Sequence, residues 1–177
     1  IESIYFEFNE VMPFVNGPEG KDLKVKNKWV LANSMHVIDS AFFPVGLPSF
    51  SKSNFQRVGN DLKWHPTASI FCGSGVTNQG TPFSYHANWK SPGSWGVEWM
   101  TASTRYIFKP LEKLKIMKKG SFKIEEVTLD DNLDKKYKPG VYLQNQTFLY
   151  GDNSNLVSGE YALKLINVAN EFGGYYK

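Results

Sequence analysis

Alternation of apolar and polar side chains at a period of two is the feature that most limits how this chain can fold. Phe83-Ser84-Tyr85-His86-Ala87-Asn88-Trp89 places Phe83, Tyr85, Ala87 and Trp89 on one side and His86 on the other, the pattern of a half-buried strand. Ile4, Phe6 and Phe8 alternate with Tyr5 and Glu7 in the same way. Further strands are expected over 23–32, 68–72, 97–108 and 141–150, with a hairpin around Lys119-Gly120. Met12-Pro13, residues 16–20, the polar stretch 49–59, Gly73-Ser74-Gly75 and Pro92-Gly93 supply the loops between them. A short helix is expected at 34–43. Ser34 would cap it, Met35, Ile38 and Phe42 would share a face, and Pro44, Gly46 and Pro48 would end it. The segment from Tyr161 to Phe172 fits either period, and a strand is preferred there.

About eight strands with one or two short helices, separated by Gly, Pro and Asn turns, predict an all-β fold: a single-domain β-sandwich or jelly roll over residues 1–177. This length buries a core without staples, and a lone cysteine, Cys72, excludes an intrachain disulfide. No apolar run reaches the ~18 residues of a membrane helix. The net charge of +3 is carried mostly by lysine, with only Arg57 and Arg105 as arginines. Phosphate recognition leans on the planar fork of Arg, so the balance argues against a nucleic-acid partner. The chain begins at Ile1 with no basic-then-apolar leader. A removed leader or a longer parent chain would account for that, and a secreted or cell-surface location is preferred over the cytoplasm.

Residues 61–109 hold Trp64, Trp89, Trp95 and Trp99, four of the five tryptophans, together with Cys72, His65 and His86. Phosphate loops, dinucleotide fingerprints, zinc-protease helices and nucleophile elbows are all missing from the chain in their usual forms. Trp and Tyr stack on flat apolar faces while Asn and His take hydrogen bonds, as glycan recognition requires. The leading expectation is therefore a lectin-like module that binds carbohydrate or another extracellular surface ligand, without a cofactor. Its site would draw on Trp64, His65, Tyr85, His86, Asn88, Trp89 and Trp95.

The alternative is an enzyme or toxin-like effector. Cys72 followed by a glycine-rich turn, with His86 on the next strand, has the parts of a thiol nucleophile, its base and an oxyanion hole for amide hydrolysis or deamidation. The 14-residue spacing between the two is similar to that in glutamine-deamidating bacterial toxins, over that pair alone. A structural coat or capsid-type subunit is a third reading, because jelly rolls serve there too. His65, Cys72 and His86 with Glu98 match no structural zinc spacing. Asp130, Asp131, Asn132 and Asp134, like Asp152, Asn153 and Asn155, offer oxygens for calcium without the twelve-residue loop. No metal is expected to bind.

Overall fold

In a computed structural model of the protein, residues 1–10, 17–151 and 156–176 are described. Eight strands form one sheet in the order β2-β3-β4-β1-β5-β6-β7-β8. The strands are β1 (Ser3–Phe8), β2 (Pro48–Val58), β3 (Ile70–Thr77), β4 (Pro82–Asn88), β5 (Trp95–Met100), β6 (Thr104–Phe108), β7 (Leu114–Lys118) and β8 (Ile124–Val127). The helices are α1 (Leu23–Lys26), α2 (Met35–Phe42), α3 (Asn132–Lys136), α4 (Val141–Tyr150) and α5 (Gly159–Gly173). A π-helical segment, Val30–Ser34, runs straight into α2.

The expected β-sandwich or jelly roll is corrected by this arrangement. Helices, not a second sheet, cover the apolar face. β1 pairs with β4 in parallel, and the six other pairings are antiparallel, so the sheet is mixed and the fold is of the α+β kind. Register explains where the core sits. Ile4 lies beside Phe83 and Phe6 beside Tyr85 on one flank of β1, while Phe6 faces Val97 on the other. These side chains project to one face, and Val37, Ile38, Ala41 and Phe42 of α2 with Leu165, Val168, Ala169 and Phe172 of α5 close over it. Phe6 meets Phe42 edge-on at 5.4 Å, and Tyr85 lies 4.5 Å from Phe172, separations at which aromatic pairs add to the gain from burial.

Six local expectations change for physical reasons. Residues 23–32 carry α1, a turn and the start of the π-helical segment in place of a strand, and Asp22 caps α1 by accepting from the Lys24 N–H at 2.7 Å. The polar stretch 49–59 belongs to edge strand β2, where only one neighbour exists and little burial is required. Residues 97–108 are two strands joined by the Thr101–Thr104 turn, whose main chain closes at 3.0 Å. Residues 141–150 form α4, and 161–172 belong to α5, capped by the Ser158 hydroxyl. Ser34 does not act as a cap: the helical path starts four residues earlier, and its buried hydroxyl has no hydrogen-bond partner among the described residues. The hairpin around Lys119-Gly120 forms as β7 and β8. Met12-Pro13, Asn16, Asp152, Asn153 and Asn155 lie outside the described residues.

Candidate functional site

Most of the expected aromatic platform is core. Trp64, His65, Tyr85 and Trp89 are all buried, which corrects the reading of these rings as glycan-facing. Trp64 and Trp89 stack at 5.7 Å with 12° between their planes, and His65 meets Trp89 edge-on at 4.8 Å. The Trp89 indole N–H donates to the Phe8 carbonyl at 3.0 Å. His65 Nδ1 lies 2.8 Å from the Ala68 carbonyl oxygen and Nε2 lies 2.6 Å from the Tyr175 hydroxyl. Burial holds its pKa down to about 4, so the ring is neutral at neutral pH. That state fits Nδ1–H donating to Ala68 while Nε2 accepts from Tyr175. Asn88 is structural as well. Its amide N–H donates to Asn9 Oδ1 at 2.7 Å, and its own Oδ1 accepts from the Lys90 N–H at 3.0 Å.

Cys72 and His86 are direct cross-strand partners on the face that the helices leave open, and Glu7 adjoins His86 from the other side. No hydrogen bond joins the thiol to the imidazole. Gly73-Ser74-Gly75 is not a turn after Cys72 but the middle of β3, with its backbone paired to β2 and β4. Gly73 is required there because a Cβ would run into the Asn54 carbonyl oxygen and lie 2.9 Å from the Tyr85 hydroxyl. Amides committed to a sheet ladder cannot serve as an oxyanion hole. The metal set dissolves too: among the described residues no three His, Cys, Asp or Glu side chains converge, and Glu98 pairs with Arg105. Asp131 bonds Lys135 at 2.7 Å, while Asp130 and Asp134 accept backbone N–H groups of their own turn.

The concave, chemically mixed surface lies on the helix side of β5. Along α2 and its C-cap, His36, Asp39, Ser40 and Phe43 fall at i, i+3, i+4 and i+7, one stripe of the helix. Facing them are Trp95, Val97 and Trp99, alternate residues of β5, and Phe108 of β6. A cavity of about 370 Å³ between the two walls is lined by Asp39, Ser40, Phe43, Trp99 and Phe108 among others. A second cavity of about 260 Å³ lies at the carboxyl end of β1, against Asn9, Glu10, Ser94, Trp95 and Glu112. Leu111 lines both, so the two meet at that side chain. The ring of His36 stands 6.5 Å from that of Trp95. Of the residues expected to form the site, Trp95 reaches this cleft, and Trp99 of the same tryptophan group lines it too.

Glu10 is its most perturbed group. It is 7% exposed, and Oε1 accepts from Trp29 Nε1 at 2.9 Å and Asn33 Nδ2 at 3.2 Å. Burial raises its pKa, and the two hydrogen bonds oppose that rise. Asn33 belongs to the π-helical segment, where the Met35 N–H reaches back five residues to the Val30 carbonyl. Such π turns displace one residue from the regular helical path and recur at functional sites. Sequence reading passed over Glu10 because a carboxylate after a strand is ordinarily solvated. The one signal was its place directly beyond an alternating apolar strand.

No family model matches the chain, and no curated protein does either. Solved structures do match. A protein described as an NADPH-dependent oxidoreductase from Desulfitobacterium hafniense superposes with a TM-score of 0.70 at 12% identity, over 98% of this chain and 53% of that one. A Gfo/Idh/MocA family oxidoreductase from Vibrio cholerae gives 0.60 at 14%, over 97% and 49%. Levoglucosan dehydrogenase in complex with NADH and levoglucosan gives 0.53 at 12%, over 98% and 48%. The chain thus spans about half the length of the structures it matches. At these identities the likeness establishes the fold. The matched structures are oxidoreductases, one of them solved with NADH, which sets aside the expected lectin-like module without a cofactor and, with it, the alternative of a thiol hydrolase.

Proposed function

We propose that this chain is the substrate-side domain of a nicotinamide-dependent oxidoreductase, with the cleft between α2 and β5 as its working surface. The observation that carries the reading is the match of nearly the whole chain to halves of such enzymes, together with a cleft that gathers Glu10, His36 and Trp95. The residues present do not fit a dinucleotide cradle. That cradle uses parallel strands and a glycine-rich turn leading into a helix N-terminus, whereas this sheet is largely antiparallel and β1 is followed by Asn9-Glu10. The nicotinamide would be held chiefly by the part of the enzyme that corresponds to the other half of these neighbours. This chain's share is to bind substrate against Trp95 and Trp99, order it through Glu10, Asn9 and Asp39, and keep water from the reacting carbon. No helix among the described residues is long and apolar enough to cross a membrane.

The reading is tested by adding NADH and NADPH to the intact protein and following energy transfer from tryptophan to the reduced nicotinamide. Saturable transfer with one of them supports it. Absence of transfer with both, in folded protein, contradicts it.

A further inference from the structure

The cavity at the carboxyl end of β1 has an unusual charge balance. Among the described residues, Glu10 and Glu112 are its only charged lining residues. Glu10 is buried, its Oε1 is held by two neutral N–H donors, and Oε2 has no partner among the described residues. Glu112 is exposed and, among the described residues, is in no ion pair. Residues 11–16, which follow Glu10 directly, carry no charged side chain, so they cannot supply the missing cation. A buried carboxylate without a counter-charge is costly to maintain. Proteins keep such groups where a ligand completes them. The remaining wall is the Trp95 indole with Asn9, Ser94, Pro110 and Leu111. An aromatic face next to carboxylates attracts organic cations through the ring quadrupole.

We propose that this cavity binds a protonated amine, so that the substrate carries an ammonium group seated between Glu10, Glu112 and the Trp95 ring. The ammonium donates to Glu10 Oε2, is attracted by Glu112 at the rim, and lays its carbon skeleton along Trp95 toward the larger cavity. A neutral hydroxyl would satisfy Oε2 but leave the buried charge uncompensated, which is why a cation is favoured. This inference rests on the oxidoreductase reading for the word substrate, but the site itself stands on its own geometry.

The test is a titration of the intact protein with cyclohexylammonium chloride and with cyclohexanol, its neutral counterpart, in the absence of nicotinamide. Indole N–H resonances are followed by heteronuclear NMR, with Trp95→Phe identifying the Trp95 signal. The ammonium is expected to bind about tenfold more tightly than the alcohol, as a charge-assisted hydrogen bond implies, and to shift Trp95. Glu10→Gln should bring the two affinities together. Glu112→Gln, a surface change that spares the fold, should weaken the ammonium alone by about twofold. Equal affinities in the wild type, a Trp95 signal unmoved at saturation, or an unchanged preference in both variants would overturn the proposal. A cation preference in a protein that proves unable to use nicotinamide would keep the site and remove the dehydrogenase reading; nicotinamide turnover without the preference would do the reverse.

Discussion

Trp29 Nε1 donates to Glu10 Oε1 at 2.9 Å, across the boundary between the end of β1 and the start of the π-helical segment. The bond fixes a buried carboxylate against the one irregular stretch of helix, and Asn33 from that stretch adds a second donor to the same oxygen. The site is therefore arranged before any ligand arrives, as preorganised recognition requires.

The first prediction concerns the cost of that carboxylate. Burial raises the Glu10 pKa in the folded state, so the native protein holds this proton more tightly than the unfolded chain does. The protonated form is the stabilised one. Stability from this group is complete below the ordinary glutamate value and is lost as pH rises through the raised folded value. Glu10→Gln keeps an acceptor for Trp29 and Asn33 and removes the charge. It is expected to be more stable than wild type at neutral pH and indistinguishable from it in acid, measured by urea unfolding at the two pH values.

His65 gives the opposite slope. Its folded pKa of about 4 lies below the ordinary 6.5, so the unfolded chain takes up this proton first as pH falls. The stability that comes from keeping the ring neutral is present above 6.5 and is lost as pH falls toward 4, about 3 kcal/mol in all. His65→Gln should flatten the urea midpoint across that window, and a wild-type midpoint that stays level there would count against the buried neutral ring.

Gly93 makes a close approach beside the cleft. A Cβ there would strike the Asn9 Cβ, and Asn9 bridges Glu7 at 2.5 Å and the Asn88 N–H at 2.7 Å. Gly93→Ala is expected to cost about 1–3 kcal/mol through that overpacking and to weaken cyclohexylammonium binding, since Asn9 lines the same cavity. A thermal melt paired with the NMR titration checks both effects.

The sequence makes the central strands legible and leaves the architecture hidden, for reasons particular residues show. β1 and β4 alternate cleanly because one face is buried and the other is open. What covers that buried face cannot be read from the strands themselves. Tyr161, Leu165, Val168 and Phe172 carry the helical answer, but Leu163 between them mimics a strand period. α4 buries no residue, so its apolar side chains gave no helical stripe to detect. β2 escaped because an edge strand needs few apolar residues: most of its side chains are exposed, and Phe55 packs 4.9 Å from Phe172. Rare residues were a poor guide to the site. Trp64, His65 and Trp89 cluster because they plug the core, whereas Trp95 reaches the cleft and Glu10, a common type, is placed there by topology.

The proposed oxidoreductase site is tested most directly by the rate at which the intact protein, supplied with NAD or NADP, oxidises a panel of cyclic alcohols and amino alcohols. The panel is run on wild type, Trp95→Ala and Cys72→Ser. Trp95 forms a wall of the cleft, whereas Cys72 lies on the opposite face of the sheet. Reduced nicotinamide should accumulate in wild type, kcat/KM should fall by about tenfold or more in Trp95→Ala, and Cys72→Ser should match wild type. Activity that survives loss of Trp95 but disappears with Cys72, or no nicotinamide reduction with any compound of the panel, would contradict the placement of the site.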